Sequence, residues 1–161
     1  EYAKVAEIIA GYFQEVGIRI KVRLVDPQDI TREVLRSRSY DMLLYGIIVG
    51  SEPDQYPFWH SSQIGYPGLN LSQYSNKSVD QLLEKIRTTV NSEEVAKLYT
   101  DFANTLISDV PAVFLYTPTY TYAMTDEIKG FAVDRIAKPS DRFSNISDWY
   151  SKEKRVWGRV K

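Results

Sequence analysis

Hydrophobic positions change period several times along this chain, and each change marks an element. Val5, Ile8, Ile9, Tyr12, Phe13 and Val16 recur three and four residues apart, predicting an amphipathic helix. Gly17 stands where a glycine would close it. From Ile18 the period drops to two. Ile18, Ile20, Val22 and Leu24 take one face and Arg19, Lys21 and Arg23 the other, which predicts a strand with one solvated face. A loop and a short helix from about Gln28 to Arg36 follow. The run around Met42 to Val49 is apolar on both faces and reads as a buried, central strand.

From Gly50 to Lys77 the chain is rich in Pro, Gly, Ser, Asn and Tyr, and a connection this long is usually functional. Ser78 with Gln81 fits a capping box, and Leu82, Leu83, Ile86 and Val90 stripe the helix behind it. Asn91 with Glu94 repeats the cap. Val95, Leu98, Tyr99, Phe102 and Leu106 stripe a longer helix ending near Asp109, before Pro111. "AVFLYTP" and "TYTYAMT" read as two strands, "DEIKGF" as a turn, and "DRFSNISDWYSKEKRVW" as a short helical turn with a strand or tail. The order is that of an α/β domain. The stripes predict burial of Val5, Ile8, Leu44, Ile48, Leu83, Tyr99, Phe102 and Phe114.

Composition narrows the chemistry. At 161 residues, 43% hydrophobic and 25% charged, the chain has the length and apolar content of one globular domain. A net charge of -1 gives no basic field for nucleic acid. With no cysteine and one histidine, disulfides, Cys-based zinc sites and multi-histidine metal sites are excluded. No run of about 18 apolar residues reads as a membrane span. No phosphate-binding glycine loop and no G-x-S-x-G elbow is present. His60 beside Ser61 and Ser62 leaves a small serine hydrolase as an alternative. Glu52 and Asp54 are near enough in sequence to be weighed as a glycosidase-like pair, but adjacent acids in a turn are usually just solvated. The inventory favours binding over catalysis, and aromatics at 13% supply rings for it.

Six segments, in order, resemble solute-binding proteins of oligopeptide and dipeptide ABC importers (family 5). They are "AEIIAGYFQEVGIRIKVRLVD", "YDMLLYG", "EPDQYPFW", "YSNKSVDQLLEKI", "LYTDFANTLISDVPAVFLYTP" and "FSNISDWY". The resemblance implies one lobe of a type II (cluster C) periplasmic-binding-protein fold, a mixed central sheet flanked by helices. Residues 1–161 would form a single α/β domain, the C-terminal lobe of a longer two-lobed protein. It implies no enzymatic activity and no cofactor. The partners it implies are a peptide or other small solute, ABC permease subunits and the N-terminal lobe of the same parent, with no nucleic acid. The parent would be periplasmic or extracellular, with a lipid anchor as one form. The ligand-binding residues it implies are Tyr45, Gly46, Ile47, Val49, Ser51, Glu52, Trp59, Asn70 and Tyr74. One departure stands out. Where peptide-binding members carry a Gly-Trp step and then an aspartate that pairs with the peptide amino terminus, this chain has Ile47 and Val49-Gly50-Ser51, with Glu52 the nearest carboxylate. Relatives that take nickel chelates, sugars or modified peptides supply the alternative ligands.

Overall fold

The computed structural model describes residues 2–49, 54–134, 136 and 138–151. They fall into two compact units, Glu1–Gly46 with Asp54–Val113, and Ile47–Pro53 with Phe114–Lys161.

The first unit is helical. Helix α1 (Tyr2–Glu15) closes on Gly17, whose φ of 83° only glycine adopts without strain. The N–H groups of Gly17 and Ile18 return to the carbonyls of Gln14 and Phe13 at 3.0 and 2.9 Å, as the sequence led us to expect of this glycine. The helix foreseen between Gln28 and Arg36 is a single π-helical turn, Thr31–Leu35, tied by ion pairs of Arg23 with Glu33 and of Arg32 with Asp29. Helix α2 (Tyr56–Trp59) leads through a 3₁₀ turn, Ser61–Gln63, and a loop into α3 (Lys77–Thr88) and α4 (Ser92–Asp109).

Asn76, not Ser78, caps α3: its Oδ1 accepts from the N–H groups of Ser78 and Val79 at 2.9 and 3.3 Å. Both positions suit a cap, but Asn is among the strongest cap residues, and it moves the helix start two residues upstream. Asn91 caps α4 as expected, accepting from Glu93 and Glu94 N–H at 3.0 Å each. The core lies between these two helices. Val79, Leu83 and Ile86 face Leu98, Phe102 and Leu106, and Trp59 from α2 closes the cluster. Lys85 and Glu94 bridge the helices at 2.9 Å on the solvent side.

The second unit holds the sheet of the described residues. β1 (Ile128–Lys129) and β2 (Tyr150–Ser151) pair antiparallel, with Ile128 opposite Ser151 and Lys129 opposite Tyr150. Gly130, at φ 83°, lets the chain pass against the Asp148 carbonyl. Phe131, Phe143 and Trp149 pack ring on ring, with Arg142 over Phe143 at 4.3 Å. The Trp149 indole donates to Asn145 Oδ1 at 3.0 Å.

The mixed central sheet is the main correction. The runs Ile18–Leu24, Met42–Val49, "AVFLYTP" and "TYTYAMT" take no regular secondary structure and form no ladder among the described residues. Alternation sets which face a segment buries; a strand also needs a neighbour to take its N–H and C=O groups. Without one, the side chains stay wet. Ile8, Ile48 and Phe114, foreseen as buried, are 49%, 76% and 70% exposed, and Val5 and Leu44 are only partly covered. Leu83 and Phe102 are buried as foreseen, and Tyr99 packs against their cluster.

Candidate functional site

The loop after the apolar run was singled out by composition, and in the structure it is a tightly built body set on α3. Asp54 starts it. Its Oδ1 accepts from the Tyr56 N–H at 3.1 Å and its Oδ2 takes a charge-assisted bond from Arg87 Nη2 at 2.9 Å. Arg87 also lies over the Tyr56 ring at 4.1 Å, and on the next step the Tyr56 ring stacks on His60, 4.1 Å between centroids. This stacks a cation and two rings in sequence along one side of α2. Its opposite face sends Trp59 into the core, edge-on to Tyr74.

His60 is buried, and both its nitrogens are engaged. Nδ1 accepts from the Ser62 N–H at 3.1 Å, which makes the ring the cap of the 61–63 turn, and Ser62 Oγ sits 2.8 Å from the same nitrogen. Nε2 faces Glu84 Oε1 at 3.4 Å and Asp80 Oδ1 at 3.9 Å. Asp80 reaches back to Ser61, accepting from its N–H at 2.8 Å and its hydroxyl at 2.5 Å. A serine, an imidazole and a carboxylate are thus in file. The nitrogen that would act as base is taken up by a local cap under a stacked ring, an arrangement built for rigidity more than for proton abstraction.

Asn70 holds the rest of the loop. It is wholly buried, with Nδ2 donating to the His60 and Tyr74 carbonyls at 3.1 and 2.8 Å and Oδ1 accepting from the Tyr74 N–H at 3.0 Å and the Ser72 hydroxyl at 3.2 Å. Arg38 donates to the Ile64 and Gly68 carbonyls, and the Tyr40 hydroxyl to Leu71 O. Gly68 passes so close to the Gln63 carbonyl that no Cβ fits. The Tyr74 hydroxyl and Asn76 Nδ2 both donate to Asp109 Oδ2, at 2.6 and 2.7 Å, joining the loop's end to the end of α4. Desolvation first, and then the bond to Asp109, push the Tyr74 hydroxyl up to about 12. The same bond, with that from Asn76, holds the Asp109 carboxyl below its ordinary value.

Of the residues expected at a ligand site, Trp59, Asn70 and Tyr74 come together in the first unit, with Trp59 and Asn70 buried and the Tyr74 hydroxyl committed to Asp109. Tyr45 and Gly46 belong to the same unit. Tyr45 is exposed, and the Tyr2 hydroxyl packs against the Gly46 backbone. Ile47 and Val49 are exposed in the second unit. Ser51 and Glu52 lie outside the described residues. Arg38, Asp80, Glu84, Arg87 and Asp109 were missed. Asp80, Glu84 and Arg87, three and four apart, did mark one polar face of α3. Arg38 left no signal, because its role follows from a left-handed backbone at φ 53°.

The chain's neighbours in structure are type II periplasmic binding proteins. The oligopeptide-binding protein AppA of Bacillus subtilis, solved in complex with a nonapeptide, superposes over 94% of this chain and 29% of its own, with TM-score 0.76 at 25% identity. NikZ of Campylobacter jejuni, in complex with Ni(L-His), does so over 92% of this chain and 30% of its own, with TM-score 0.65 at 24% identity. In sequence the chain is 26% identical to AppA over 147 residues, which is 91% of this chain and 26% of AppA. It is 26% identical to the peptide transport periplasmic protein SapA of Haemophilus influenzae over 131 residues, 79% of this chain and 23% of SapA. To the probable D,D-dipeptide-binding periplasmic protein DdpA of Escherichia coli it is 35% identical over 75 residues, 46% of this chain and 14% of DdpA. No protein-family model matches. The chain resembles these peptide-binding proteins in sequence and fold, and it spans about a quarter or less of the length of these curated relatives.

Proposed function

We infer that this chain is the C-terminal-lobe part of the substrate-binding component of an ABC-type peptide importer, holding its ligand in a cleft between two lobes of a longer protein. The fold shared with AppA, which was solved with a bound nonapeptide, carries this reading. Residues 1–161 act as one domain of that parent, in the periplasm or outside the cell, lipid-anchored in one form, and deliver ligand to permease subunits. Tyr45, Gly46, Ile47, Val49, Ser51, Glu52, Trp59, Asn70 and Tyr74 are carried forward as its ligand residues, with buried Trp59 and Asn70 shaping the loop and exposed Tyr45, Ile47 and Val49 free to meet ligand. The reaction class is binding and release by lobe closure, without covalent chemistry.

Calorimetry with a peptide library, on this chain and on the longer protein that carries it, tests the reading. A small-ligand site encloses roughly 70–90% of its ligand. One lobe offers a single wall, so a micromolar site of about 8 kcal/mol falls toward millimolar in the chain alone. Sub-micromolar binding by the 161 residues alone would overturn the two-lobe reading. No peptide binding by the longer protein would overturn the peptide reading. The likeness to NikZ supports a second ligand class, a nickel chelate, and a nickel–histidine arm in the same titration separates the two.

A further inference from the structure

We propose that His60 is a proton-operated clasp on the Ser61–Gln63 turn. Neutral, it caps the turn; protonated, it gives up the cap and reverses a short hydrogen-bond chain from Tyr56 through Ser62, while α3 keeps its hold on the ring. The geometry fixes both states. The Ser62 N–H, 3.1 Å from Nδ1, needs a lone pair there, so the neutral ring carries its proton on Nε2, which faces Glu84 and Asp80. In this state the Ser62 hydroxyl, 2.8 Å from Nδ1, shares that one lone pair with the Ser62 N–H and can accept from the Tyr56 hydroxyl at 3.3 Å.

A proton from solvent adds to Nδ1 and takes the lone pair. Nδ1–H now donates to Ser62 Oγ across the same 2.8 Å, the Ser62 hydroxyl proton turns to the Tyr56 oxygen, and the Ser62 N–H loses its acceptor. Ser62 is exposed, so water takes that N–H over and the turn relaxes without unfolding. Ser61 stays fixed, because both its N–H and its hydroxyl are held by Asp80.

The charges around the ring favour keeping it in place when protonated. Asp80 and Glu84 on α3 face Nε2, and Tyr56 on α2 stacks on it. Arg87 lies over the far side of Tyr56 and is paired with Asp54. Tyr74 and Tyr99, which pack on the Trp59 cluster from the loop and α4, stay neutral through the acid range. Acidification therefore loosens the 61–63 turn locally while α2 stays docked on α3.

The test is nuclear magnetic resonance of the chain between pH 8 and pH 5, reading the His60 ring nitrogens and the Ser62 amide. The expected result is an Nε2–H tautomer at pH 8, and a Ser62 amide whose shift follows ring protonation and whose exchange protection falls about tenfold, as the loss of one hydrogen bond sets. His60→Asn keeps an acceptor for the Ser62 N–H, as Asn76 and Asn91 do for α3 and α4, but does not titrate. Its Ser62 amide should hold one shift and one protection across the range. A wild-type Ser62 amide blind to ring protonation, or the same pH response in His60→Asn, would overturn the clasp. Should His60→Asn not fold, Glu84→Gln serves. Removing that carboxylate should move the Ser62 transition to lower pH, and an unmoved transition would overturn the assignment of Nε2 to α3.

Discussion

Phe102 is the sharpest probe of the helix pair. It is 5% exposed, on α4 between Leu98 and Leu106, and its ring fills the space facing Val79, Leu83 and Ile86. Phe102→Ala removes a buried ring, which costs roughly 3–5 kcal/mol, with the upper values where the site cannot collapse. Here it cannot close easily. Lys85 and Glu94 tie α3 to α4 at one end, and Tyr74 and Asn76 hold Asp109 at the other. We therefore expect about 4 kcal/mol, a large share of the roughly 5–15 kcal/mol that stabilises a domain. Urea unfolding followed by circular dichroism measures it. With a slope of about 2 kcal/mol per molar, the midpoint should fall by about 2 M with the slope unchanged. Val90→Ala, at a position 97% exposed, is the control and should stay within about 0.5 kcal/mol. A loss below about 1 kcal/mol in Phe102→Ala would refute the α3–α4 core.

Asn70→Ala should cost about 3 kcal/mol in the same assay, because it leaves the His60 carbonyl and both Tyr74 backbone groups without their partner; a loss under about 1 kcal/mol would show that water replaces the amide. Gly68→Ala drives a methyl into the Gln63 carbonyl, so its thermal midpoint should drop by several degrees, whereas Gly65→Ala, in open space, should change little. The Tyr74–Asp109 bond makes stability pH-dependent at both ends. Tyr74, raised from 10.0 to about 12, contributes stability that is complete below pH 10 and lost as pH climbs to 12. Asp109, lowered from 3.8, contributes stability that is present above that value and lost as pH falls through its folded value. Tyr74→Phe should flatten the alkaline limb of the stability profile and Asp109→Asn the acid one; wild-type slopes in both variants would refute the pairing.

The helices were legible because their information is local. α4 runs from its Asn91 cap to Asp109, as read from the spacing of Leu98, Phe102 and Leu106, and Gly17 closes α1 where a left-handed residue was needed. Strands carry no such local guarantee. "IRIKVRLV" has perfect alternation, yet Val22 and Leu24 remain exposed, and no strand pairs with the run among the described residues. Periodicity states which face a segment would bury; pairing depends on chain elsewhere. Val90 failed for the opposite reason: it continues the α3 stripe on paper, but the helix stops at Thr88.

At the loop, residue type carries two readings at once. A tryptophan, an asparagine and a tyrosine in a loop after an apolar run have the chemistry that recognises a ligand, and the same chemistry builds a loop that holds still. Trp59 spends its ring on Leu83 and its neighbours, Asn70 spends its bonds on the His60 carbonyl, the Tyr74 backbone and the Ser72 hydroxyl, and the Tyr74 hydroxyl goes to Asp109. Sequence cannot separate the two uses, because both reward large rings and amides beside turns; burial separates them. A buried amide with four partners serves a site through the loop it holds, whereas a half-exposed ring meets solute directly. If the loop's ordering belongs to recognition, it acts as recognition sites usually require, by holding a surface rigid before ligand arrives and so lowering the entropy lost on binding. His60 then has particular weight, since it is the point where that rigidity is set by a bond that one proton can remove.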